Sequence, residues 1–190
     1  FQKGIANSLI QLGNIEQIKG NNDKAEEYNL QAMKILEKEG IKEGMAVCCN
    51  NLGILAHNRN DYTLAREYYN KSLAINRLTG RRSGEATSLF CIGSLYENQA
   101  KFDSALHYYL DAQKISESIF DQKLIAYGKI SLAHVYFRME NYPLSMKYNE
   151  EAVDIYNKSG NSYGLLKTYP ALGQTSEMTN NLPLEIWFHW

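Results

Sequence analysis

The sequence predicts an all-α solenoid of helix-turn-helix repeats, and three observations predict it. The first is a fixed period of 40: Leu12-Gly13 recurs as Leu52-Gly53, Ile92-Gly93, Leu132-Ala133 and Leu172-Gly173, and Ile35 recurs as Ile75, Ile115 and Ile155. No insertion breaks this register, and self-similarity at such a period marks a repeat array. The second is the spacing inside each unit, where small and apolar residues return at steps of three and four, as on one face of an α-helix. The third is what separates these stretches: polar turns such as Gly20-Asn21-Asn22-Asp23, with Asp61 and Asp103 at the matching places.

The stretch from Asn50 to Ala74 serves as the template. Residues 4–43 form the first unit. Its first helix, about residues 4–19, sets Ala6, Leu9, Gly13 and Glu16 on one stripe. Gly13 costs about 1 kcal/mol of helix propensity relative to Ala. The same cost returns at Gly53, Gly93 and Gly173, so a close helix approach is expected to offset it. Asp23 opens the second helix, where negative charge meets the helix N-terminus. That helix carries Ala25, Tyr28, Ala32, Ile35 and Leu36 inward, and Gly40 ends it in a left-handed cap. The second unit, 44–83, repeats this with Gly80 as the cap. In the third, 84–123, Phe120 stands where a cap glycine is expected, so that junction is expected to stay helical for longer. The fourth, 124–163, keeps small residues at Ala133 and Ser145, and Pro143 falls at a helix start, where its missing N–H costs little. A partial fifth unit covers 164–190. One array, 1–190, is the expected domain.

As a set, these residues resemble the tetratricopeptide repeat. The second unit carries Cys49, Leu52-Gly53, Ala56, Tyr62, Ala65, Tyr69 and Ser72; the third carries Leu89, Ile92-Gly93, Tyr96, Phe102, Ala105, Tyr109 and Ala112. The family's usual unit is about 34 residues with a closing Pro. Here the unit is 40 and that Pro is absent, which resembles the long-helix subtype of kinesin light chain and of many bacterial signalling proteins. The resemblance implies a right-handed superhelix whose first helices line a concave, peptide-binding face.

Composition excludes several classes. With 20 basic and 21 acidic residues the net charge is −1, which argues against a surface built for phosphate backbones. No apolar run is long enough to span a membrane. Cys48, Cys49 and Cys91 are an odd count without C-x-x-C spacing, so neither a disulfide framework nor a zinc site is expected. Their repeat equivalents are small or core residues. Free thiols lean toward a reducing, cytoplasmic compartment; a periplasmic address stays open if a leader has been removed. Phe1-Gln2-Lys3 aligns with Asp121-Gln122-Lys123, as though an earlier repeat had been cut away. Trp187, Phe188 and Trp190 end the chain on aromatics. Truncation is the favoured explanation, with a fold-back or self-association through them as alternatives.

No catalytic motif is present: neither a phosphate-cradling Gly-rich loop nor G-x-S-x-G. His57, His107, His134 and His189 each lie far from another His or Cys at ligand spacing. No enzyme activity, metal or other cofactor is expected. Tyr68-Tyr69 and Tyr108-Tyr109 occupy repeat positions and are expected to pack between helices.

What remains is the concave face that the resemblance implies. In the first unit it comprises Asn7, Ile10, Gln11, Asn14 and Gln17, and it continues every 40 residues. The residues expected to hold a peptide are Asn14, Asn50, Asn51, Ile54, His57, Phe90, Ser94, Asn98, His134 and Arg138. Asn and Gln pair a donor with an acceptor, which suits an extended peptide backbone. Ile54, Phe90, Tyr127 and Phe137 would supply side-chain pockets. A carboxylate clamp is not expected, because Ile10 stands where that subfamily has Lys. The expected function is a non-catalytic module binding a protein or peptide segment, the sensory or scaffolding part of a bacterial regulator. The alternatives are a self-association scaffold, or a regulatory subunit that binds an enzyme through its convex face.

Overall fold

A computed structural model describes residues 1–179. Among them are nine α-helices and no strand: α1 (Gln2–Ile18), α2 (Asn22–Lys38), α3 (Lys42–Asn58), α4 (Tyr62–Leu78), α5 (Arg82–Asn98), α6 (Phe102–Ser118), α7 (Gln122–Arg138), α8 (Tyr142–Ser159) and α9 (Ser162–Thr179). The odd-numbered helices begin at 2, 42, 82, 122 and 162, so the 40-residue period is the geometric period as well. The fold is an all-α solenoid of helix-turn-helix repeats. The terminal aromatics, for which self-association is one of the alternatives, and the rest of the fifth repeat lie outside the described residues. No described helix is long and apolar enough to cross a membrane.

The chain divides into two compact units, Phe1–Leu95 and the residues from Tyr96 onward. In the first unit α1 packs on α2, α2 on α3 and α3 on α4. One core cluster joins Ala6 and Ile10 of α1 to Ala32 and Leu36 of α2 and Cys48 of α3. In the second unit α6 packs on α7, α7 on α8 and α8 on α9. Leu132 and Val135 of α7 and Ala152 of α8 are fully buried there.

The repeat glycines do allow close approach in the first unit. A Cβ on Gly13 would lie 2.5 Å from the Asn29 amide nitrogen, and one on Gly53 would lie 2.5 Å from the Tyr69 ring. Tyr69 and Tyr109 are buried, while Tyr68 and Tyr108 are half-buried between helices. Tyr108 stacks on Tyr96 at 5.3 Å, and Tyr148 repeats the arrangement on Tyr136 at 5.6 Å. Cys48 and Cys49 are buried among apolar neighbours, which pushes their thiols up to about 12 and about 11.

The junctions correct one expectation. Gly20, Gly40, Gly80 and Gly160 have positive φ, and so do Asn60, Ala100, Phe120 and Glu140. The third unit therefore does not stay helical at Phe120. That residue takes φ +54° and α7 starts at Gln122, on schedule. Packing of α6 against α7 overrides the local preference against a left-handed Phe. Asp121 then caps α7 by accepting from the backbone N–H of Lys123 and Leu124.

Candidate functional site

The odd-numbered helices carry the residues expected to face a ligand, and the structure sorts them by register. The position of Ile10, Asn50 and Phe90 is buried, at 5%, 8% and 1% exposure. This corrects the assignment of Asn50 and Phe90 to an open groove. The physical reason is helical: this position follows Ala6, Ala46 and Ala86 by four residues, so it shares their inward stripe. Phe90 is core, and Asn50 joins a buried polar network. Ser88 Oγ lies 3.3 Å from Asn50 Oδ1 and donates to Ser72 Oγ at 3.0 Å, and Ser72 Oγ donates to the Ala46 carbonyl at 2.8 Å.

Two positions further round remain partly open. One holds Gln11, Asn51, Cys91, Ser131 and Ala171; the other holds Asn14, Ile54, Ser94, His134 and Gln174. In the first unit these amides bond to one another. Asn51 Nδ2 donates at 2.9 Å to both Asn14 Oδ1 and Asn29 Oδ1, and Asn29 Nδ2 donates to the Ala25 carbonyl at 2.8 Å. Asn51 thus ties α3 to α1 and α2. His57 is half-buried, its ring edge-on to Tyr62 and Tyr69, and burial holds its pKa below the usual imidazole value. Ile54 and Ser94 are half-buried and Asn98 is exposed at the end of α5. A cleft of about 420 Å³ in the first unit is lined by Asn7 and Gln11 of α1, Val47 of α3, Lys3 and Arg81, among others.

The second unit builds a different site from the same positions. Glu97 is 5% exposed and accepts from the Tyr109 hydroxyl at 2.7 Å. His134 Nδ1 contacts the other Glu97 oxygen, and this hydrogen bond raises the His134 pKa against the opposing effect of desolvation. The Arg138 guanidinium lies over the Phe102 ring at 5.3 Å. A cleft of about 270 Å³ runs between α7, α8 and α9 and is lined by His134, Phe137, Arg138, Asn149, Ala171 and Gln174, among others. Asn149 and Ala171 were absent from the expected set. The repeat alignment does single them out: they stand 120 residues after Asn29 and Asn51. No group of three metal-ligating side chains gathers among the described residues.

Comparison with known proteins agrees with this architecture. The tetratricopeptide repeat family model matches residues 4–77 and 48–118, which together cover more than half of the chain. The chain therefore belongs to the tetratricopeptide repeat family, whose arrays are protein-binding scaffolds. No curated protein matches the sequence. Among solved structures, BtubC from P. vanneervenii superposes with a TM-score of 0.79 at 17% identity, over 95% of this chain and 75% of that one. The apo form of RapI gives 0.78 at 18%, over 94% and 65%. A Rap protein complexed with Competence and Sporulation Factor gives 0.81 at 14%, over 94% of this chain and 50% of its own. The chain spans between half and three quarters of the length of these structures.

Proposed function

We propose that this tetratricopeptide repeat chain is a non-catalytic module that binds a protein or peptide segment through its odd-numbered helices. One observation carries the reading: in each unit a cleft opens among odd-numbered helices, between α1 and α3 in the first and beside α7 and α9 in the second. Both clefts mix amide or cationic side chains with apolar ones. Such a lining pairs hydrogen-bond partners for a peptide backbone with apolar contact for its side chains. Of the expected residues, Ile54, His57, Ser94, Asn98, His134 and Arg138 keep accessible surface for this role. The Rap protein complexed with Competence and Sporulation Factor has the same fold and supports placing the module in bacterial signalling. A single domain over 1–190, acting as sensor or scaffold, is part of the proposal.

The test is selection from a displayed random-peptide library, followed by calorimetry on the enriched peptides. Ser94→Arg and Arg138→Glu are expected to weaken binding at least about tenfold, a change of about 1.4 kcal/mol, with unchanged melting. Lys114→Glu, on the exposed side of α6, is expected to leave binding intact. Enriched peptides indifferent to both odd-helix substitutions but sensitive to Lys114→Glu would move the site to the other face and overturn the proposal.

A further inference from the structure

In the first unit, Asn14, Asn51 and Asn29 close a hydrogen-bonded triad. Moving 120 residues along the array replaces them with His134, Ala171 and Asn149. The middle member, whose amide bridges the other two, has been cut back to a methyl group. The cleft of about 270 Å³ lies at this place and is lined by all three residues.

Asn149 is 2% exposed, yet among the described residues its side chain has no hydrogen-bond partner. Two substitutions explain this. Asn29 uses its amide nitrogen on the Ala25 carbonyl, and a Cβ on Gly13 would sit 2.5 Å from that nitrogen and 3.3 Å from that oxygen. In the fourth repeat that Cβ exists, on Ala133, so Asn149 cannot place its amide as Asn29 does. Asn29 also accepts from Asn51, and Ala171 has no donor to offer. The orphaned polar atoms sealed away from solvent include Asn76 Oδ1 and Gln113 Oε1 but neither polar atom of Asn149, whose amide opens on the cleft. A buried amide with neither protein partner calls for one from outside.

We infer that this cleft binds a carboxamide, the side chain of an Asn or Gln in a bound peptide, which takes the place that Asn51 fills in the first unit. The inference rests on the peptide-binding reading above and names what one of the two clefts recognises. An amide presents a donor and an acceptor side by side, and only a ligand with both can satisfy both. A carboxylate offers no donor and an ammonium no acceptor. The surrounding charges fit a neutral guest: His134 is tied to Glu97, and Arg138 lies against Phe102 at the rim. With Nδ1 held by Glu97, the second ring nitrogen of His134 is left for the guest.

The experiment uses the ¹⁵N-labelled chain and three tripeptides, each with acetyl and N-methylamide caps: Ala-Asn-Ala, Ala-Asp-Ala and Ala-Leu-Ala at millimolar concentration. The readout is the side-chain NH₂ resonance pair of Asn149, assigned by its loss in Asn149→Ala. The Asn peptide is expected to shift this pair and the other two are not. Ala171→Asn, which fills the cleft from within, is expected to abolish the shift while the rest of the spectrum is preserved. An equal shift from the Leu peptide, a larger one from the Asp peptide, or a shift that survives in Ala171→Asn overturns the carboxamide assignment. Shifts at Ser94, Asn98 or Arg138 with a silent Asn149 would also overturn it, while leaving the wider peptide-binding face standing. No shift anywhere overturns the carboxamide site, and the displayed-library selection then judges the face independently.

Discussion

Asn29 and Asn149 occupy the same register in the first and fourth repeats and are equally buried, but one is fully engaged and the other is not. Their helix, their depth and their side chain are the same. What differs is two neighbours: Gly13 against Ala133, and Asn51 against Ala171. A repeat array can therefore keep its scaffold and turn a structural position into a recognition position by changing one methyl group and removing one amide. The core stripe, which must fit the adjacent helix, tolerates little such change. The stripe beside it is where repeats diverge.

That contrast can be broken by substitution. The largest effect is expected at Asn51→Ala, which leaves Asn29 Oδ1 buried without its donor and should cost about 1–3 kcal/mol in a melting experiment. Asn149→Ala, which removes a side chain with no protein partner, should cost less than the roughly 1 kcal/mol of a made hydrogen bond. Gly13→Ala should come next. It displaces the Asn29–Ala25 hydrogen bond as Ala133 does in the fourth repeat, but regains about 1 kcal/mol of helix propensity, so a net loss of about 1 kcal/mol is expected from denaturant melts.

The junctions extend the comparison at smaller scale. In the first unit the positive-φ positions are Gly20, Gly40, Asn60 and Gly80; in the second they are Ala100, Phe120, Glu140 and Gly160. Left-handed backbone costs an ordinary residue about 1–2 kcal/mol, while Gly carries an entropic cost of about 0.5–1 kcal/mol. Ala100→Gly and Phe120→Gly should each stabilise by roughly 0.5–1 kcal/mol, and Gly80→Ala should destabilise by a similar amount. The two units also diverge in pH response, the smallest effect. His57 has a lowered pKa, so the unfolded chain binds its proton more readily and stability falls as pH drops below about 6.5. His134 has a raised pKa, so its contribution is complete below about 6.5 and fades as pH rises through the raised value. Melting temperature against pH should lose its acid-side fall in His57→Gln and its alkaline-side fade in His134→Gln.

Much of this was legible in the sequence. The period of 40 placed every described helix, because each repeat must pack on its neighbour at one spacing. The inward course of Ala25, Ala65 and Ala105 followed from the same register. Three things did not follow. Phe120 reads as a reason to continue the helix, because local propensity carries no information about the packing of α6 on α7. Asn50 and Phe90 read as groove residues because neighbouring stripes on a helix differ by one step, and burial decides between them. Asn51 reads as a ligand-binding amide because an unpaired amide and a paired one look alike in sequence; only the positions of Asn14 and Asn29 show that its donor is used within the fold. A disruptive Asn51→Arg would accordingly weaken the array itself and cannot isolate binding.

The most direct measurement is a double-mutant melting cycle on Ala171 and Asn149. If the fourth-repeat cleft is the vacated place of an amide, Ala171→Asn supplies the missing hydrogen bond and should raise Tm by about 2–4 °C, the shift expected for about 1 kcal/mol in a chain of this size. That gain should vanish in the Asn149→Ala background. An equal change in both backgrounds, or a fall in Tm with Asn149 intact, would contradict the account.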